Sequence, residues 1–312
     1  MKSIIRNILP VLFTVAVVTA MAAAAEFSAE KEILFPEIAA ISAGALISPE
    51  FAWNTSTKKL FVFIIAGAIL GMATVLLPVP LLIQMPIAFL VATLLFQFSG
   101  TTFAPMISAV VLPVMLGTKT PVYIVSASVL TLLILVLRKI LEKMDICSAI
   151  KYKPVEFPDK HLLAQSMLRW IIGSSIIITA LISGVKFAAA PPLLVAFTEF
   201  MKRDSKAVKS PVITTIIITG CAFIGALMRY IFIAADADAY IAAGLTMLFV
   251  CILMRTTGRY LPPAAALSIL AFLISETSLI IYPLQIAAGT LAFMSIALVY
   301  RHITEKILHI AV

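Results

Sequence analysis

The sequence predicts an all-α fold, a polytopic integral membrane helical bundle of about twelve membrane segments in two pseudo-repeats of six. Three observations carry that expectation. Apolar residues fill the chain almost end to end, at 62% hydrophobic and 12% charged, with a mean hydropathy of +1.13. A soluble chain is about half apolar and about a quarter charged. The apolar runs also lack the period-two alternation of a membrane barrel. Leu130 to Leu137 and Val212 to Gly220 are continuous, and an open sheet edge has no hydrogen-bond partners in lipid. Third, the chain reads as one unit written twice.

Apolar runs fall near 4–25, 34–49, 60–79, 82–98, 103–116 and 121–137. After a polar gap they resume at 168–185, 188–201, 211–233, 239–254, 261–275 and 279–300. A helix crossing about 30 Å of hydrocarbon needs roughly 20 residues. Most runs approach that length; 34–49, 103–116, 188–201 and 261–275 fall short. The first run, in which Lys2 and Arg6 precede an apolar stretch that closes on Ala22 to Ala25, has a second reading as a cleavable secretory signal. Its counterpart at 168–185 favours retention as a span.

Laying 1–145 over 165–312 pairs the short runs, with 146–164 as a cytoplasmic linker for which at most an interfacial helix is expected. Pro36 and Pro191-Pro192 open one pair of short spans; Pro105 and Pro262-Pro263 open the other. Each half closes on a basic tail, Arg138 to Met144 and Arg301 to Ile307.

In a twelve-span arrangement 19 of the 23 Lys and Arg residues fall on one side, leaving Lys31, Lys119, Lys186 and Arg229 on the other. Both termini should therefore be cytoplasmic and the protein should reside in the cell membrane. The net charge of +8 is then juxtamembrane charge facing anionic lipid, with no implication of nucleic-acid binding. Expected partners are the lipid bilayer and a small-molecule or ion substrate; a homo-oligomer is compatible with the composition.

Proline suits the first turn of a helix, where its missing N–H costs nothing. A span too short to cross ends inside the protein. Bare N–H groups there would form an anion site. Matching short helices in two halves also point to a transporter's binding site. The plainer reading is a tilted helix in a locally thinned bilayer. On the first reading the substrate-binding candidates are Glu37, Thr101, Thr102, Pro105, Ser108, Arg259, Pro262, Pro263 and Ser268. On the second, Glu37 caps its own helix and the hydroxyls bond their own backbone. Glu199 and Arg229 read as snorkelling side chains. The Gly67-x-x-x-Gly71 spacing, and Ala222 and Ala226 beside Gly225, read as close helix packing.

Cys147, Cys221 and Cys251 have no disulfide or metal-ligand spacing, and His161, His302 and His309 lie in polar segments. No catalytic cluster is placed at membrane depth, and no nucleotide-binding loop or cofactor motif is present, so an enzyme is not expected. The leading expectation is a transporter or channel for a small solute, an inorganic anion. The alternative is a non-transporting scaffold or assembly subunit that docks partners on the loop from Lys139 to Gln165.

The stretch from Met254 through Leu261-Pro262-Pro263-Ala264-Ala265-Ala266 resembles the signature of the HPP family of integral membrane proteins, His-Pro-Pro followed by small residues at a helix start. Leu261 stands where that family has histidine, and the first half retains only Phe103-Ala104-Pro105. The resemblance implies a duplicated membrane domain. Because some members are described as nitrite carriers, it also implies an anionic substrate.

Overall fold

The computed structural model describes residues 2–155, 159–202 and 204–310, with side chains described from 5 to 303 of these. Pro158 and Arg203, and the side chains of Lys2, Lys306 and His309, lie outside the described residues. The described residues are helical, with no strand. Eight helices are long and apolar enough to cross a membrane. They are α1 (Lys2–Phe27), α3 (Thr57–Val75), α4 (Leu81–Phe98), α6 (Val122–Lys143), α7 (Lys160–Ile182), α9 (Pro211–Ala234), α10 (Ala239–Thr257) and α13 (Tyr282–Ile310).

The four short runs form α2 (Glu37–Ser42, continued by a π-helical turn Ala43–Ile47), α5 (Pro105–Leu116), α8 (Pro191–Phe200) and α11 (Pro262–Leu270); α12 (Glu276–Leu279) is a single turn. In place of about twelve membrane segments, eight helices have the length and apolarity to cross, and the four short runs are stubs. The physical reason is burial. Every residue of α2 is buried, as are Pro105 to Met115 of α5 and Pro263 to Leu270 of α11. Such helices are apolar all round because protein, not lipid, surrounds them.

The stubs make a central ring in the order α2, α11, α8, α5, each packing on the next and α5 closing on α2. The long helices wrap this ring. α3 and α4 pack on α5, α9 and α10 on α11, α6 on α2, and α13 on α8. α1 lies along α10, and α7 along α4. The outward faces are apolar: on α6, Val125, Val129, Leu132 and Val136 form one stripe, each about half exposed. A surface of that kind is unstable in water and suits hydrocarbon.

Close approach between layers depends on glycine. A Cβ on Gly71 of α3 would lie 2.5 Å from the Val110 carbonyl oxygen of α5. One on Gly225 of α9 would lie 2.0 Å from the Ser268 carbonyl oxygen of α11. Tyrosines fasten the same turns of these stubs, at the residue preceding each glycine contact. Tyr123 donates to the Ala109 carbonyl at 3.1 Å and meets Phe35 edge-on; Tyr282 donates to the Leu267 carbonyl at 2.7 Å and meets Phe187 edge-on.

Of the linker's described residues, 146–155 run irregularly across the body and are tied down, and Lys160 to Ala164 form the opening turns of α7. The Lys153 N–H donates to Asn54 Oδ1, Asn54 Nδ2 to the Lys153 carbonyl, and Tyr152 Oη to the Gly100 carbonyl at 2.8 Å. Arg138 holds it most firmly. This guanidinium is 1% exposed, although its position at the end of α6 reads as a membrane-surface charge. It donates to the carbonyls of Ala45 and Ser148 and pairs with Glu142 at 3.0 Å, with Phe51 beneath it. The π-helical exit of α2, the loop after it and the linker are thereby joined through one side chain.

Candidate functional site

A cavity of about 930 Å³ opens between the two halves of the chain. It lies on the face where α1, α3 and α9 begin and α4, α6 and α10 end. Pro105 of α5 and Pro262 and Pro263 of α11 line it, together with Arg259 just before α11. The first half contributes Ser48 to Trp53, the loop leaving α2; the second contributes Glu199 at the end of α8, the loop after it, and Thr214 of α9. The N-terminal ends of α5 and α11 and the C-terminal ends of α2 and α8 therefore meet at one recess. That disposition follows from the ring, whose neighbouring stubs run antiparallel.

Local chemistry fixes the walls. Trp53 is held over Gly44, where any Cβ would strike its ring, and edge-on against Phe103 with centroids 5.0 Å apart. Arg259 donates from Nη2 to Ser210 Oγ at 3.0 Å, and Thr214 Oγ1 donates to the Ala207 carbonyl. Among the described residues the ion pairs are Arg138–Glu142 and Lys202–Glu199, so Arg259 has no carboxylate partner. Lys202 neutralises Glu199 at 2.7 Å, while Glu199 Oε1 is buried without a partner. Glu50, Asp204 and Lys206 stand exposed at the rim.

The bare amide ends expected of the stubs are not formed at α8 and α11. Their first two positions are prolines, which carry no N–H, and the next N–H is already bonded inside the turn. Leu193 donates to the Ala190 carbonyl, and Ala264 to the Leu261 carbonyl at 3.0 Å. The helix-end charge remains but the donors do not. Beside the start of α11 the positive group is Arg259, and Lys202 and Lys206 line the same cavity.

The nine residues singled out in the sequence divide three ways. Pro105, Arg259, Pro262 and Pro263 line the cavity. Glu37 and Ser108 form a separate buried pair, 1% exposed each, in which Ser108 Oγ donates to Glu37 Oε1 while Oε2 has no partner. Replacing Ser108 with alanine removes the side-chain donor to this buried carboxyl group and is expected to cost about 1–3 kcal/mol, read as a lower unfolding temperature in detergent. Thr101, Thr102 and Ser268 do not line this cavity. Thr101 Oγ1 shares a hydrogen bond with Ser99 Oγ and accepts one from the Phe103 N–H. Thr102 Oγ1 accepts from the Asn54 N–H at 2.8 Å, and Ser268 Oγ donates to the Ala265 carbonyl.

Arg229 does not snorkel to an interface. Its Nη1 donates at 2.6 Å to the carbonyls of Ala271 and Ile274, closing the far end of α11. Trp53 and Thr214 went unrecognised in the sequence, because nothing local distinguishes a tryptophan or threonine that meets a cavity from one that packs. Glu199 carried a signal, an acid at the end of a short apolar run.

No protein-family model, curated protein or solved structure matches this chain.

Proposed function

We propose that the chain is a multi-pass transporter or channel for a small solute, an inorganic anion, built as two repeats of six segments around the cavity. The observation that carries this reading is the shared recess itself. Starts of stubs from both halves line it, and Arg259, which lines it with Lys202 and Lys206, has no acidic partner among the described residues. The duplication is supported by paired contacts: Gly71 against α5 and Gly225 against α11, Tyr123 on Phe35 and Tyr282 on Phe187. Leu261-Pro262-Pro263, on which the resemblance to the HPP family rests, opens the stub beside Arg259. With the basic face taken as cytoplasmic, the cavity opens inward, and solute passes when the halves shift about the ring.

Proteoliposome flux of nitrite, nitrate, chloride and bicarbonate tests this. Protein-dependent flux of at least one anion is expected, and Arg259→Gln should reduce it by about tenfold or more, the loss of a charge-assisted contact, while leaving the unfolding temperature unchanged. Flux equal to that of empty vesicles across the panel overturns the proposal. The linker's attachments to Asn54 and Gly100 weigh against the scaffold reading, because the loop it relied on is bound to the body.

A further inference from the structure

A second cavity, about 510 Å³, lies beside the first on the same face. We infer that it binds a phosphate group, carried by a lipid headgroup or by a soluble phosphate compound, between Arg6 and Arg255. Both arginines line it and none of its lining residues is acidic. Neither has a carboxylate partner among the described residues. Two like charges facing one recess repel, and an anion between them converts that repulsion into two attractions. A phosphate suits the pair best, because its oxygens match the planar guanidinium fork in bidentate fashion.

The site is also built. Arg255 Nη1 donates to the Asn7 carbonyl, which holds the end of α10 onto the opening turns of α1 and orients the guanidinium. Ser48, Pro49 and Tyr260 wall both cavities, so an occupant here would press on the partition of the larger recess. The location, where α1 begins, is the level at which anionic headgroups sit on a basic membrane face.

Cys147 lines the same cavity and is half-buried, whereas Cys221 and Cys251 are fully buried. It is therefore a natural reporter. Burial pushes its thiol above the ordinary value, against the pull of Arg138 and Arg6. A bound anion both shields the sulfur and disfavours its thiolate, so both effects slow alkylation.

The experiment follows alkylation of Cys147 by a neutral maleimide in the full chain. One arm uses phosphatidylcholine bilayers with and without inorganic phosphate; the other uses phosphatidylcholine bilayers with about one-fifth phosphatidylglycerol. We expect labelling to slow by about fourfold at roughly three times Kd, the factor 1 + [L]/Kd. Slowing only by phosphate identifies a soluble source; slowing only by phosphatidylglycerol identifies a headgroup. The effect should vanish in Arg6→Gln and return only in part in Arg6→Lys, which keeps the charge but not the guanidinium fork. Arg6 is exposed and makes no hydrogen bond among the described residues, and continued protection of Cys221 and Cys251 reports that the variants are folded. An unchanged rate in both arms, or equal slowing in Arg6→Gln, overturns the inference.

Discussion

Substituting alanine at two glycines five positions apart on α9 should move stability in opposite directions. Gly225→Ala places a Cβ 2.0 Å from the Ser268 carbonyl oxygen and 2.8 Å from its carbon. Both are backbone atoms of a fully buried stub, so no side chain can rotate away and α9 must separate from α11. Overpacking of this kind costs about 1–3 kcal/mol. We expect the upper end, seen as a fall of roughly 5–10 °C in unfolding temperature in detergent. Gly220→Ala meets nothing within 4 Å. It removes only the backbone freedom of a mid-helix glycine and should stabilise by roughly 0.5–1 kcal/mol. Equal effects at the two positions would remove the basis for glycine-mediated packing of long helix on stub. Gly71→Ala, 2.5 Å from the Val110 oxygen, should behave as Gly225→Ala does.

The second large effect is expected at Arg138. Arg138→Ala deletes two bonds to carbonyls, leaves Ala45 O and Ser148 O without that donor, and strands Glu142. Removing one partner of a buried ion pair costs about 3–5 kcal/mol. Because the same guanidinium joins the linker to the α2 exit, limited proteolysis between 144 and 155 should accelerate along with the loss of stability. Arg138→Lys retains the charge but not the fork, and should fall between. If the linker stays protected in Arg138→Ala, its attachment rests on Asn54 and Tyr152 alone.

Much of the helical content was legible in the sequence because hydropathy and length report it directly. The four stubs were identifiable from short runs headed by proline at 36, 105, 191–192 and 262–263. Their burial within a ring was not, because a helix enclosed by protein and one enclosed by lipid are equally apolar. Pro105, Arg259, Pro262 and Pro263 were readable as cavity residues since each marks a stub's start. The hydroxyls of Thr101, Thr102 and Ser268 misled: their type reads as a polar path, but turn geometry gave their oxygens to nearby groups. Arg138 misled in the opposite sense. Position along a helix predicts depth, yet not whether a guanidinium turns outward to headgroups or inward to carbonyls.

The pairing of α1 with α10 and of α7 with α4 has a consequence for biogenesis. When α1 leaves the ribosome its mate has not been synthesised, and α4 must likewise wait for α7. The early helices are therefore provisional until late segments arrive, and the first half cannot complete its own fold. Premature termination anywhere before α10 should yield a product with an uncovered helix flank, a target for quality-control proteases, instead of a smaller working unit.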